Sequence, residues 1–149
     1  MPVIKQVYIK IESSIENLDP SGLPDGEAEK NTGYAVGFYH FRDGEILLTY
    51  SEKGEGGNVS SEILVKDGCV RVKRQGAIES DLYFEEGKTH SSLYSVPPYK
   101  FDASVTARRI RLGLTEDGGN LDLFYNMRIG GADKSARMKI WISEASKQS

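Results

Sequence analysis

Apolar and polar residues alternate with a period of two along almost the whole chain. No stretch sustains the 3.6-residue period of an amphipathic helix. The alternation predicts ten β-strands, at about 3–13, 33–42, 45–52, 59–66, 69–75, 81–86, 88–95, 99–114, 120–129 and 134–143. Four connections are tight and carry glycine: Arg42-Asp43-Gly44, Asp67-Gly68, Glu86-Gly87 and Glu116-Asp117-Gly118-Gly119. Such pairs favour the primed turns of β-hairpins. In an up-and-down meander alternate turns share an end, so all four fall at one end. The other end receives segment 14–32, loop 53–58, segment 76–80, the Pro97-Pro98 corner and loop 130–133. An all-antiparallel chain must manage its sheet edges, and hairpin-linked strands do so by closing. The expected fold is therefore all-β: one domain, an antiparallel up-and-down closed β-barrel of about 8–10 strands with little helix. A sandwich is disfavoured because it usually needs longer crossovers. The acidic segment 14–32 is expected to be a flexible loop or a lid over the mouth.

Alternation also assigns inward faces. They are Val3, Val7, Ile9 and Ile11 with Lys5; Tyr34, Val36 and Phe38 with His40; Ile46, Leu48 and Tyr50, then Glu52; Ile63 and Val65; Val70 and Val72, then Arg74; Leu121, Leu123, Tyr125, Met127 and Ile129; and Met138, Ile140 and Ile142. The eighth strand breaks parity, with odd positions Phe101, Ala103 and Val105 giving way to even positions Ile110, Leu112 and Leu114. A β-bulge near Ala107-Arg108-Arg109 restores the register. It leaves open which arginine points inward. Glu52 and Arg74 end their strands at the loop-rich end, two strands apart. Their backbones are then ~10 Å apart, within reach of long side chains.

The chain has 149 residues and a net charge of −3 from 19 basic and 22 acidic residues, which argues against nucleic acid as the main partner. Cys69 is the single cysteine and His40 and His90 are far apart in sequence, so neither a disulfide framework nor a zinc-type cluster is expected. Charges interrupt the N-terminal MPVIKQVYIKIE, and no apolar run approaches the ~18 residues of a membrane span. A cytoplasmic protein with no membrane association, no metal and no cofactor is the expectation.

Several segments together resemble the bacterial YwiB-like family: GFYHFRDGEILLTYSE (37–52), VRVKRQGAI (70–78), LYFEEGKTHSSLYSVPPY (82–99) and NLDLFYNMRIGG with MKIWI (120–142). The resemblance runs from about residue 33 to 142. It is carried by Tyr50-x-Glu52, Arg74-x-Gly76 and the aromatic hairpin from Tyr94 to Tyr99. Where the family usually shows Thr-Pro-Tyr-Gly, this chain has Val96-Pro97-Pro98-Tyr99-Lys100. The resemblance implies a calycin-like, lipocalin-related barrel and implies no activity.

Candidate ligand-binding residues at the mouth are Arg74, Glu52, Tyr50, Tyr34, Tyr94, Tyr99, Tyr125, Gln75, Thr106 and Arg108. Tyrosines pair an apolar body with a polar tip, as a half-wet pocket requires. The plainer reading of Arg74 with Glu52 is an ion pair that closes the barrel end. Three functions stay open. A small-molecule-binding barrel ranks first. A solid barrel working as an interaction module or homodimer follows, through outward Tyr39, Phe41, Leu47, Phe124 and Trp141. An enzyme using Glu52 with Arg74 comes last, with no catalytic residue assigned. His90 has no evident acid beside it in sequence, and Cys69 faces outward with no histidine at catalytic spacing.

Overall fold

The computed structural model describes residues 3–54 and 56–145. Ten strands run in chain order: β1 Val3–Asn17, β2 Glu29–Arg42, β3 Glu45–Gly54, β4 Gly57–Lys66, β5 Cys69–Gly76, β6 Glu79–Phe84, β7 Thr89–Val96, β8 Tyr99–Thr115, β9 Gly118–Ile129 and β10 Ala132–Glu144. Each pairs antiparallel with its sequence neighbours, and β10 returns to β1, closing the barrel. Closure pairs both edges of every strand. The count lies at the top of the expected range. No helix occurs among the described residues, and none is long and apolar enough to cross a membrane.

The tight turns behave as their residues dictate. Asp43 and Asp67 take positive φ beside Gly44 and Gly68, as two-residue hairpin turns require. At the opposite end the loops are shorter than expected. β1 extends through 14–17 and β2 starts at Glu29, so the long connection is only 18–28. There Asp19 accepts hydrogen bonds from the Ser21 and Leu23 amides, which winds the segment into a turn. The expected loop 53–58 shrinks to 55–56, because β3 and β4 pair as far as Gly54 and Gly57. Glu55 and the side chain of Val3 lie outside the described residues.

The core is the inward face of the strands. Val7, Ile9, Leu48, Ile63, Val70, Val72, Phe84, Val105, Leu121, Leu123 and Ile140 are almost fully enclosed. The register of β8 shifts between Ala107 and Arg109, so the bulge lies where the change of parity placed it. Both arginines beside it, Arg108 and Arg109, are exposed, and neither points inward.

The inward face of β2 departs from expectation. Tyr34, Val36 and Phe38 lie outside and more than half exposed, and His40 shares their side. The inward positions are Gly33, Ala35, Gly37, Tyr39 and Phe41. Their size explains the choice. A Cβ on Gly37 would lie 2.1 Å from the Thr49 carbonyl and 3.0 Å from the Ile9 side chain. Only glycine admits so close an approach. Ile9 from β1 and Tyr50 from β3 occupy the space that β2 leaves.

The β6–β7 hairpin is splayed. Only Glu79–Ser95 and Ser80–Tyr94 pair across it, whereas β7 pairs with β8 from Thr89 to Val96. The connecting turn leans onto the bulge of β8 instead. The Gly87 amide donates to the Ala107 carbonyl and the Ile110 amide donates to the Glu86 carboxylate. A wedge opens between Asp81–Phe84 and β7.

Candidate functional site

Arg74 reaches the interior because Val70 and Val72 fix the parity of β5, and both are enclosed. The strand stops two residues later at Gly76, where a Cβ would lie 2.2 Å from the Asn58 carbonyl and φ is +120°. Register then carries one inward row across five strands: Tyr50 opposite Ser61, Ser61 opposite Arg74, Arg74 opposite Ser80, and Ser80 opposite Tyr94. The row forms a polar belt above an apolar floor where Phe84 meets Tyr125 edge to face at 4.9 Å.

The belt is short of partners. The hydroxyls of Tyr50, Ser61, Ser80 and Ser92 are buried and make no well-formed hydrogen bond within the protein, although Ser61 and Arg74 lie near enough to the Tyr50 phenol to pull its pKa down. Such groups normally find a partner. Burial pushes the Tyr50 phenol above its ordinary pKa; the charge of Arg74 opposes this and that of Glu52 adds to it. Burial likewise raises Tyr125, again against the pull of Arg74, with Tyr94 adding to the rise. Arg74 thus acts on two phenols across the interior. It forms no ion pair with Glu52 or any other carboxylate within 4 Å among the described residues. The expected closing salt bridge is therefore not present. Glu52 is half-buried and extends along β2, its Oε2 2.7 Å from the point a Gly33 Cβ would occupy.

From outside, Arg74 and Ser80 of the belt are reached at the wedge between β6 and β7, whereas Tyr50, Ser61 and Tyr94 do not line it. A cleft of about 560 Å³ opens there, with Arg74, Ser80, Ser92 and Ser95 on its inner side and Gln75, Leu93 and Lys100 among the residues at its rim. The mouth expected over the barrel axis is thus displaced to the wall at the loop-rich end. A larger concavity of about 930 Å³ lies on the outer surface, among Glu12, Lys30, Arg137, Lys139 and Trp141. Its lining mixes charged and neutral polar side chains with Ala28 and Trp141, and it includes no residue of the belt.

The structure brings together Arg74, Tyr50, Tyr94 and Tyr125, with Glu52 nearby and Gln75 at the rim. It does not bring in the others. Tyr34 is 74% exposed on the outside of β2, and Tyr99 is 67% exposed at the start of β8. Thr106 bonds Thr89 at 2.6 Å on the outer face, because the inward positions of β8 are Ala103, Val105 and Ala107. Arg108 sits on the outer wall with Arg109 and Phe124. The serines were not named in advance, yet parity held the signal: Ser61 lies between inward Val59 and Ile63, and Ser80 precedes inward Leu82 and Phe84. His90 does gain an acid, Glu85, at 3.3 Å. Its ring also meets Tyr83 edge to face at 4.7 Å, in an outer cleft shared with Cys69. No group of three metal-ligating side chains occurs among the described residues.

A family model described as Domain of unknown function (DUF1934) matches residues 9–142. The chain belongs to this family. A Bacillus subtilis (strain 168) protein described as "Uncharacterized beta-barrel protein YwiB" is 26% identical over 124 residues, covering 83% of this chain and 82% of that protein. The crystal structure of ywiB protein from Bacillus subtilis superposes with a TM-score of 0.83 at 23% identity, covering 96% of this chain and 94% of that one. The DUF1934 match and the barrel likeness agree with the resemblance carried by Tyr50-x-Glu52 and Arg74-x-Gly76, and at that identity the structural likeness speaks for the fold alone.

Proposed function

We propose that this barrel binds a small molecule in the cleft between β6 and β7, against Arg74 and the hydroxyls of its belt. One observation carries the reading: an inward guanidinium without a carboxylate partner lines a cleft together with the buried, unpartnered hydroxyls of Ser80 and Ser92. Unpaired buried polar groups are costly, so a site that keeps several of them is built for something that satisfies them. At about 560 Å³ the cleft falls within the ~300–1,000 Å³ of ordinary ligand pockets. Glu52 offers no comparable support for an enzyme, since it makes no ion pair with Arg74. Native mass spectrometry of protein purified from its own cells tests the reading. The expected result is one retained small molecule, absent from Arg74→Met. A protein that carries nothing, with the cleft closed below about 100 Å³ in a crystal, overturns it.

A second reading has its own observation. Ile4, Tyr8, Tyr34, Val36 and Phe38 cover the outer wall of β1 and β2 with exposed apolar surface. Contiguous apolar patches mark interaction sites on soluble proteins. This reading makes the chain a homodimer through that wall. Of the residues expected to face outward, Leu47 does so and is half-buried, while the others do not form an open apolar patch. Tyr39 is fully enclosed and Phe41 packs on the core. Phe124 is covered by Arg137, and Trp141 by Lys10 and Lys139.

A further inference from the structure

We propose that the occupant of the cleft is an organic carboxylate whose head group rests on the Arg74 guanidinium and accepts hydrogen bonds from Ser80 and Ser92, which line the cleft with it; this rests on the reading of the cleft given above. The belt supplies donors and a cation but no facing anion. A hydroxyl without an acceptor can donate to an oxyanion, and two such hydroxyls, those of Ser80 and Ser92, line the cleft with Arg74. Hydrogen bonds to an ionised partner are the stronger kind, and a guanidinium fork matches the two oxygens of a carboxylate.

Head-group shape sets the class. Lys73 and Lys100 also line the cleft, as do Glu79 and Asp81, but neither lysine lies in the inward row, and Asp81 is itself held by Arg71 through two hydrogen bonds. Arg74 is the cation of the inner side, and its planar fork matches the two oxygens of one carboxylate. The body of the ligand then lies outward along Leu93, because Phe84 and Tyr125 already fill the floor.

Amide NMR spectra of the full chain test this with acetate and hexanoate, against hexanamide, hexylamine and chloride at equal ionic strength. Hexanoate is expected to give saturable shifts at Ser80, Ser92 and Leu93. Arg74→Met should weaken it about 10- to 100-fold, and Ser80→Ala about 2- to 10-fold. Arg74→Lys should recover part of the loss. Arg74→Met should fold and melt at or above the wild-type temperature, because it breaks no ion pair. If hexanamide or hexylamine binds as tightly as hexanoate and Arg74→Met leaves it unchanged, the site stands and the carboxylate assignment falls. If no probe gives saturable shifts, the belt is a water-filled layer only and the cleft reading falls with it.

Discussion

Tyr39 is fully enclosed near the tight-turn end, and its hydroxyl donates to the Thr115 carbonyl at 2.6 Å. Burial pushes its pKa up to about 12. The neutral phenol is therefore favoured by folding. Its contribution is fully present below the unfolded value near 10 and is lost as pH rises towards 12. Urea unfolding should show a stability that falls above about pH 10, by at most about 1.4 kcal/mol per pH unit for this residue. Tyr50 and Tyr125, also raised by burial, act in the same direction. Tyr39→Phe should cost about 1 kcal/mol at neutral pH through its lost hydrogen bond, and should make the alkaline fall shallower. Arg74 was legible in the sequence at this scale, since two valines before it fix its face. What Arg74 meets was not legible. Partner choice depends on side-chain direction across strands, and here Glu52 extends along β2 instead.

The strands show why parity alone reads some faces and not others. In β3, β5, β9 and β10 most apolar residues share one parity and lie inward, so alternation found the core. In β2 the rule inverts, because Gly33, Ala35 and Gly37 make room for Ile9 and Tyr50. A barrel interior needs complementary sizes between neighbouring strands, and one strand read alone does not display its neighbours. Gly37→Ala should therefore destabilise by about 1–3 kcal/mol or more, while Val36→Thr should stay within about 0.5 kcal/mol in the same urea titration. A β2 buried through Val36 and Phe38 would give the opposite ranking.

For the molecule as a whole, turn chemistry and edge logic were enough for a closed meander, and the glycine-bearing turns do gather at one end. The place of the site was harder to read, because a closed cylinder suggests a mouth on its axis. The splayed hairpin that moves access to the wall depends on how the 85–88 turn docks on the β8 bulge, a long-range contact with no local signature. The outer wall of β1 and β2 makes its own prediction at this scale. By analytical ultracentrifugation at micromolar concentration, the homodimer reading expects two chains for the wild type and one for Phe38→Glu. A wild-type monomer would remove that reading and leave the cleft untouched.

With two paired positions across β6 and β7, the cylinder is close to a rolled sheet whose free margins have been brought together. The backbone groups of Asp81–Phe84 that face β7 lie outside any ladder, and such groups are where sheets add foreign strands. Partial loss of order in this barrel would therefore begin as unrolling along one line, with β6 and β7 presented as fresh edges. On the proposed reading an occupant of the cleft would also guard that line, which would make ligand loss and strand-to-strand aggregation two outcomes of the same opening.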